Sequence, residues 1–138
     1  MDAKRFVTGT VVGAIVLYAG GYLIWDVAFA SFFAANRGSA TGVPRESQII
    51  WAMAVGNLAY GALVTWIMLG RGGTTSVGGG AALGAITGLL MWLAVDFILY
   101  GATNLSNLTG AIADPLLEIV HGGVGGAAIA AVAGKASS

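Results

Sequence analysis

Of 138 residues, 57% are hydrophobic and 9% are charged, and the formal net charge is zero. Soluble domains usually carry about a quarter charged residues, so this chain cannot clothe its surface in polar groups, and a mean hydropathy of +0.86 points to lipid as the covering. The lack of cysteine excludes disulfides and thiolate metal sites, while the lack of any Lys/Arg run leaves no electrostatic basis for binding nucleic acid or for polybasic attraction to lipid headgroups.

A membrane helix needs about 20 mainly apolar residues, and four windows in one domain, 1–138, provide them. The first, about 6–30, reads "FVTGTVVGAIVLYAGGYLIWDVAFA". Lys4 and Arg5 precede it and "AFAS" at 28–31 resembles a signal cleavage site. The apolar stretch is longer than the about 7–15 residues of a signal-peptide core, and a retained helix is expected. "NRGSATGVPRES" (36–47) reads as a loop whose Ser47 can N-cap the second helix, 48–69. "GRGGTTSVGGG" (70–80) reads as a turn before the third helix, about 79–102, which has the composition to run on to Asn104. After the short "NLSNLTG" (104–110) comes the fourth helix, about 112–134. Pro115 is expected in its first turn, where a missing N–H costs least.

Backbone in lipid must satisfy its own hydrogen bonds, so the expected fold is an all-α membrane protein, a four-transmembrane-helix bundle. Short echoes suggest two tandem helix-pair repeats: "GAI" at 13–15 and 84–86, "WD" at 25–26 against "VD" at 95–96, "GR" at 70–71 against "GK" at 134–135. Lys4, Arg5, Arg71 and Lys135 fall on one side and Arg37 and Arg45 on the other. That asymmetry predicts both termini in the cytoplasm.

Apolar burial drives no association in hydrocarbon, whereas close packing of small residues does. Gly80, Gly84 and Gly88 recur at four-residue spacing on the third helix, and Gly122, Gly126, Ala130 and Gly134 do so on the fourth; the first offers Gly9 and Gly13. These faces predict backbone contact between helices three and four, within one chain or between protomers.

Ionisable and amide groups interrupt every span. At about 1.5 Å per residue, Asp26, Asn57, Asp96, Glu118 and His121 all lie about 20–30 Å from the terminal ends of their helices, in one layer of the outer half. Asp114, Glu118, His121 and Gly125 share a stripe on helix four; Asp96, Tyr100, Thr103 and Asn107 share one on helix three if it extends far enough; Asn57, Tyr60 and Val64 are near-neighbours on helix two. Charge at mid-membrane costs roughly 2.5–3.5 kcal/mol and usually faces an interior or a wet cavity. With no Lys or Arg in the layer, at least one carboxyl is expected to keep its proton near neutral pH, and His121 is the natural partner of Glu118 one turn away. Asp26 and Asp114 also read as hydrated interface residues, and Asp96 reads equally as a packing residue. Trp25, Trp51 and Trp92 on one side and Trp66 on the other fit an aromatic belt.

With these residues in hand, the chain resembles a group of uncharacterised prokaryotic four-helix membrane proteins, a domain of unknown function. The resemblance rests on Tyr100, Thr103, Asn104 and Leu105, on Glu118, His121 and Gly122, and on Asp26 and Phe29. Glu118 stands where the group usually has aspartate and His121 where it has tryptophan. The match is best over 96–122. It implies a multi-pass inner-membrane protein and assigns no activity.

Three functions fit the residues. The leading one is a small proton- or cation-coupled transporter or channel-like protein whose proton and ligand layer comprises Asp26, Asn57, Asp96, Tyr100, Asn104, Glu118 and His121. The alternative is a non-catalytic accessory subunit that uses its glycine faces on a homo-oligomer or membrane partner in the bilayer. The third is an intramembrane metal-binding protein. "EIVH" has the E-x-x-H spacing of di-iron bundles, which need two such motifs, and Asp26 and Asp96 could complete a mononuclear site, but one histidine argues against it. No catalytic triad, phosphate loop or dinucleotide fingerprint stands out, so no catalytic residue, metal, cofactor or nucleic-acid partner is expected.

Overall fold

A computed structural model describes residues 2–70 and 76–134. The chain forms α1 (Ala3–Gly21), a π-helical segment (Tyr22–Ala28), the short α2 (Ala30–Ala35), α3 (Ile50–Gly70), α4 (Val77–Ala102) and α5 (Leu108–Ala133). Four spans are long and apolar enough to cross a membrane: Ala3–Ala28, Ile50–Gly70, Val77–Ala102 and Leu108–Ala133. The fold is an all-helical bundle of the multi-pass membrane class. Of the turn expected over 70–80, Gly70 and residues 77–80 are helical, while residues 71–75, Arg71 among them, and Lys135 lie outside the described residues.

Short polar side chains set three helix starts. The Asp2 carboxylate accepts from Lys4 N (2.9 Å) and Arg5 N (3.3 Å), Ser76 Oγ from Gly79 N (3.0 Å), and Asn107 Oδ1 from Gly110 N (2.9 Å). Each satisfies donors that the first helical turn leaves without partners. The second span departs from expectation. It starts at Ile50, with the Ile49 carbonyl accepting from Met53 N, so Ser47 stands outside the helix and is not its cap. The Asn107 cap likewise starts α5 at Leu108, not 112. This leaves Pro115 inside the helix and denies the Ala111 carbonyl its usual donor. The third span stops at Ala102, since Thr103 is extended (φ −142°, ψ 173°) and its hydroxyl turns back to the Leu99 carbonyl. The first span breaks at Phe29, which bonds the Ile24 carbonyl five residues back.

The glycine row of α4 lies on that of α5 within one chain. A Cβ on Gly84 would sit 2.0 Å from the Gly122 carbonyl oxygen, and one on Gly126 would sit 2.2 Å from that of Gly80. The two backbones therefore touch, which maximises dispersion contact where hydrophobic driving force is absent. On the other side of the bundle, Gly61 of α3 meets the Thr10 carbonyl of α1 in the same way. Leu17, Val64, Met68, Ile129 and Ala133 fill the space between the pairs. α3 and α4 make little contact with each other.

Both ends are tied. Arg5 Nε donates to the Ala133 carbonyl at 2.8 Å, closing the C-terminal end of α5. At the opposite end the two loops pair across the bundle. Gly38 N donates to the Leu105 carbonyl and Ala40 N to that of Asn104, each at 3.0 Å. The Asn107 amide donates to Asn36 Oδ1 at 3.1 Å. Any side chain at Gly38 would collide with Asn104, at 2.1 Å.

Candidate functional site

Asp114, Glu118, His121 and Gly125 fall on one stripe of α5, and that stripe faces the other helices. Glu118 is 2% exposed and His121 7%. The imidazole Nδ1 lies 3.0 Å from Glu118 Oε2, and the Tyr60 hydroxyl on α3 donates to the same oxygen at 3.1 Å. The other ring nitrogen, Nε2, lies 2.8 Å from the Leu17 carbonyl oxygen of α1. Three helices thus meet at one pair.

Hydrogen-bond chemistry fixes most of the protons. A carbonyl oxygen only accepts, so His121 Nε2 carries a hydrogen. The Tyr60 hydroxyl points its hydrogen at Oε2. A single proton then remains for the line between Oε2 and Nδ1. On nitrogen it makes a carboxylate–imidazolium pair, and on oxygen a neutral acid and imidazole. In both states Oε2 and the two ring nitrogens are hydrogen-bonded and the pair carries no net charge, which is how a membrane interior tolerates such groups.

The glycine faces make room for this trio. A Cβ on Gly88 would come within 2.5 Å of the Tyr60 hydroxyl, one on Gly122 within 2.8 Å, and one on Gly20 within 3.2 Å of the His121 ring. Above the imidazole, Trp25 of the π segment stacks edge-on, with centroids 5.0 Å apart. π turns recur at functional sites because the wider helix re-aims its side chains. The Trp25 indole N–H donates to Asp114 Oδ1. Asp96 of α4 is an electrostatic neighbour of Asp114, and its Oδ2 is buried with no hydrogen-bond partner among the described residues.

Beside these groups the separation of α3 from α4 leaves a cleft of about 590 Å³. Glu118, His121 and Asp114 line it on one side and the small residues Ala52, Gly56 and Ala59 of α3 on another. Asp26 and Gln48 stand at its loop end, where the Gln48 amide donates to Asp26 Oδ1 at 3.3 Å.

The seven-residue layer expected from helix depth is therefore only partly brought together. Glu118 and His121 touch, whereas Asp96 Oδ2 is buried without a hydrogen-bond partner among the described residues. Asn57 lines the cleft, but its amide donates to the Met53 carbonyl of its own helix. Asp26 is exposed and pairs with Gln48. Tyr100 is 40% exposed and outside the cleft, because α4 is exposed on all sides from Phe97 to Ala102 and sharing a stripe with Asp96 brings it no neighbour. Asn104 lies in the loop, where its backbone carbonyl serves Ala40. The mononuclear metal arrangement is not formed: among the described residues no group of three or more His, Asp or Glu is placed to hold an ion.

Tyr60, Asp114 and Trp25 were not expected as site residues. Asp114 shared the Glu118 stripe and Tyr60 that of Asn57, so both carried a positional signal. Trp25 carried none, because an indole one turn from a helix end reads equally as an interface anchor.

No family model matches the chain, and neither a curated protein nor a solved structure matches it. The resemblance over 96–122 therefore assigns no family.

Proposed function

We propose that this protein is a small membrane transporter that couples movement of a solute or cation to a proton held between Glu118 and His121. One observation carries the reading: a buried pair with a single transferable proton forms the wall of an open cleft within the membrane-spanning helices. Intramembrane ionisable groups are costly, and a pair that needs only packing has no use for a cavity beside it. Asp114 supplies a second carboxyl on the same wall.

The test is purified protein in liposomes loaded with a pH-sensitive dye. An imposed gradient of a transported cation should drive proton movement, and Glu118→Gln should abolish it. No movement with any gradient, or full movement in Glu118→Gln, contradicts the reading.

We orient the chain with both termini in the cytoplasm of a prokaryotic cell, on the balance of Lys4, Arg5, Arg71 and Lys135 against Arg37 and Arg45 in the sequence. The natural chain lacks cysteine, so single cysteines at Ala3 and Ser39 would report sidedness to an impermeant thiol reagent. Labelling of Ala3→Cys from outside intact cells reverses the orientation. A second reading, an accessory subunit, draws on the α3 wall of the cleft, where Ala52, Gly56 and Ala59 are exposed. A partner helix seated there would co-purify in mild detergent and be lost on Gly56→Leu.

A further inference from the structure

We propose that the cleft receives a lipophilic organic monocation, an aromatic ammonium or phosphonium in chemical class, with its charge against Asp114 and Glu118. The inference rests on the transporter reading of this site and names its substrate class.

Charge selects first. The cleft walls carry Asp114 and Glu118, with Asp26 at the loop end, and among the described residues no lysine or arginine lines them. The lone basic group, His121, has one ring nitrogen against Glu118 and the other against the Leu17 carbonyl, so an entering anion would find no free donor there. Anions are disfavoured on these grounds.

Size and surface select next. A bare metal cation wants a shell of about six oxygens, and the described residues bring no three carboxyl or imidazole groups together for one. The cleft instead has the volume of a drug-sized site, about 590 Å³ against a usual range of about 300–1,000 Å³. Its remaining walls are aromatic and apolar. Tyr18, Tyr22, Trp25 and Trp92 are among the lining residues, and aromatic rings attract cations through their quadrupoles. A neutral lipid tail would fill the same space but leaves the acidic wall unexplained.

Chemistry also links cation and proton. A cation seated at Asp114 competes with protons for that carboxylate.

Tetraphenylphosphonium and tetraphenylborate test this, because the two ions share shape and greasiness and differ in sign. By titration calorimetry of the wild-type protein in neutral detergent, tetraphenylphosphonium should bind at least tenfold more tightly than tetraphenylborate. Equal affinities would reveal a merely apolar cleft, and a failure of tetraphenylphosphonium to bind would overturn the proposal outright. Gly56→Leu locates the site. A Cβ at Gly56 meets nothing within 4 Å, so the side chain enters the cleft without disturbing the fold. It should weaken phosphonium binding at least tenfold at an unchanged melting temperature. Binding as tight as wild type places the ligand elsewhere and sinks the proposal. Phosphonium binding with no proton movement in liposomes would leave this inference standing and remove the transporter reading, whereas proton movement without phosphonium binding would do the reverse.

Discussion

Around Gly84 and Gly126 the backbones of α4 and α5 are in contact, and nothing larger than hydrogen fits between them. One turn along α4, at Gly88, the same row opens to admit the Tyr60 hydroxyl and the Glu118 carboxylate. Towards the chain termini the bundle is dry and tied by Arg5 on Ala133. Towards the loops α3 and α4 part, and polar groups from α1, α3, α4 and α5 occupy or edge the gap. In lipid, small residues gain stability by excluding everything else, and a cleft persists only where polar pairs leave the helices something to gain by staying apart. The comparison teaches that the glycine row does both jobs: it seals one half and provides the space for the site in the other.

The sharpest way to break that contrast is to place the same side chain in each half. Gly84→Leu must push α4 off the Gly122 carbonyl, a backbone collision with no side chain to yield. Overpacking in rigid cores costs about 1–3 kcal/mol and sometimes more, and here we expect the upper end, read as a large loss of thermal stability in detergent. Gly56→Leu on the cleft face should lie within about 0.5 kcal/mol of wild type, as substitutions into open space usually do. Equal losses would mean that the two halves are packed alike.

Between these extremes stand the polar residues. Glu118→Leu leaves the Tyr60 hydroxyl and the second His121 nitrogen without a partner, and orphaning buried polar groups costs about 1–3 kcal/mol each. Glu118→Gln keeps a hydrogen-bonding group in place and should recover most of that stability, since what it removes is the transferable proton. Tyr60→Phe removes a single interhelical hydrogen bond, for which membrane proteins lose about 0.6 kcal/mol on average. It leaves the Glu118–His121 contact intact, so it should be the mildest of the three. Chemical denaturation in mixed micelles orders them. A Tyr60→Phe loss as great as that of Glu118→Leu would mean that Tyr60 holds the fold and not merely the carboxylate.

What could be read from the chain follows the same division. Four uninterrupted apolar windows and glycine at four-residue spacing are local, periodic signals, and membrane physics converts them directly into helices and close faces. Helix ends were less legible. Asn107 capped α5 a turn before the apolar run that marks the window, and Ser47, with the right chemistry for a cap, stood three residues before the first helical residue of α3. Glu118 and His121 announced themselves as charges at depth. Depth alone could not separate Tyr60 and Asp114, which join the site, from Tyr100 and Asn104, which do not. That distinction depends on which helix lies opposite, and α4 is exposed on every side beyond Asp96. Trp25 depends on the widened turn of the π segment, which no feature of "YLIWDVA" foretells.

His121 is the only histidine in the chain, so ¹⁵N labelling of histidine alone gives its ring nitrogens without overlap. Solid-state NMR in lipid, followed through a pH titration of wild type and of Glu118→Gln, observes the proton on which the account depends. The account predicts Nε2 protonated throughout, held by the Leu17 carbonyl, with all change confined to Nδ1 and with that change displaced by Glu118→Gln. A neutral imidazole protonated at Nδ1 with a bare Nε2, or a titration indifferent to Glu118→Gln, would contradict it.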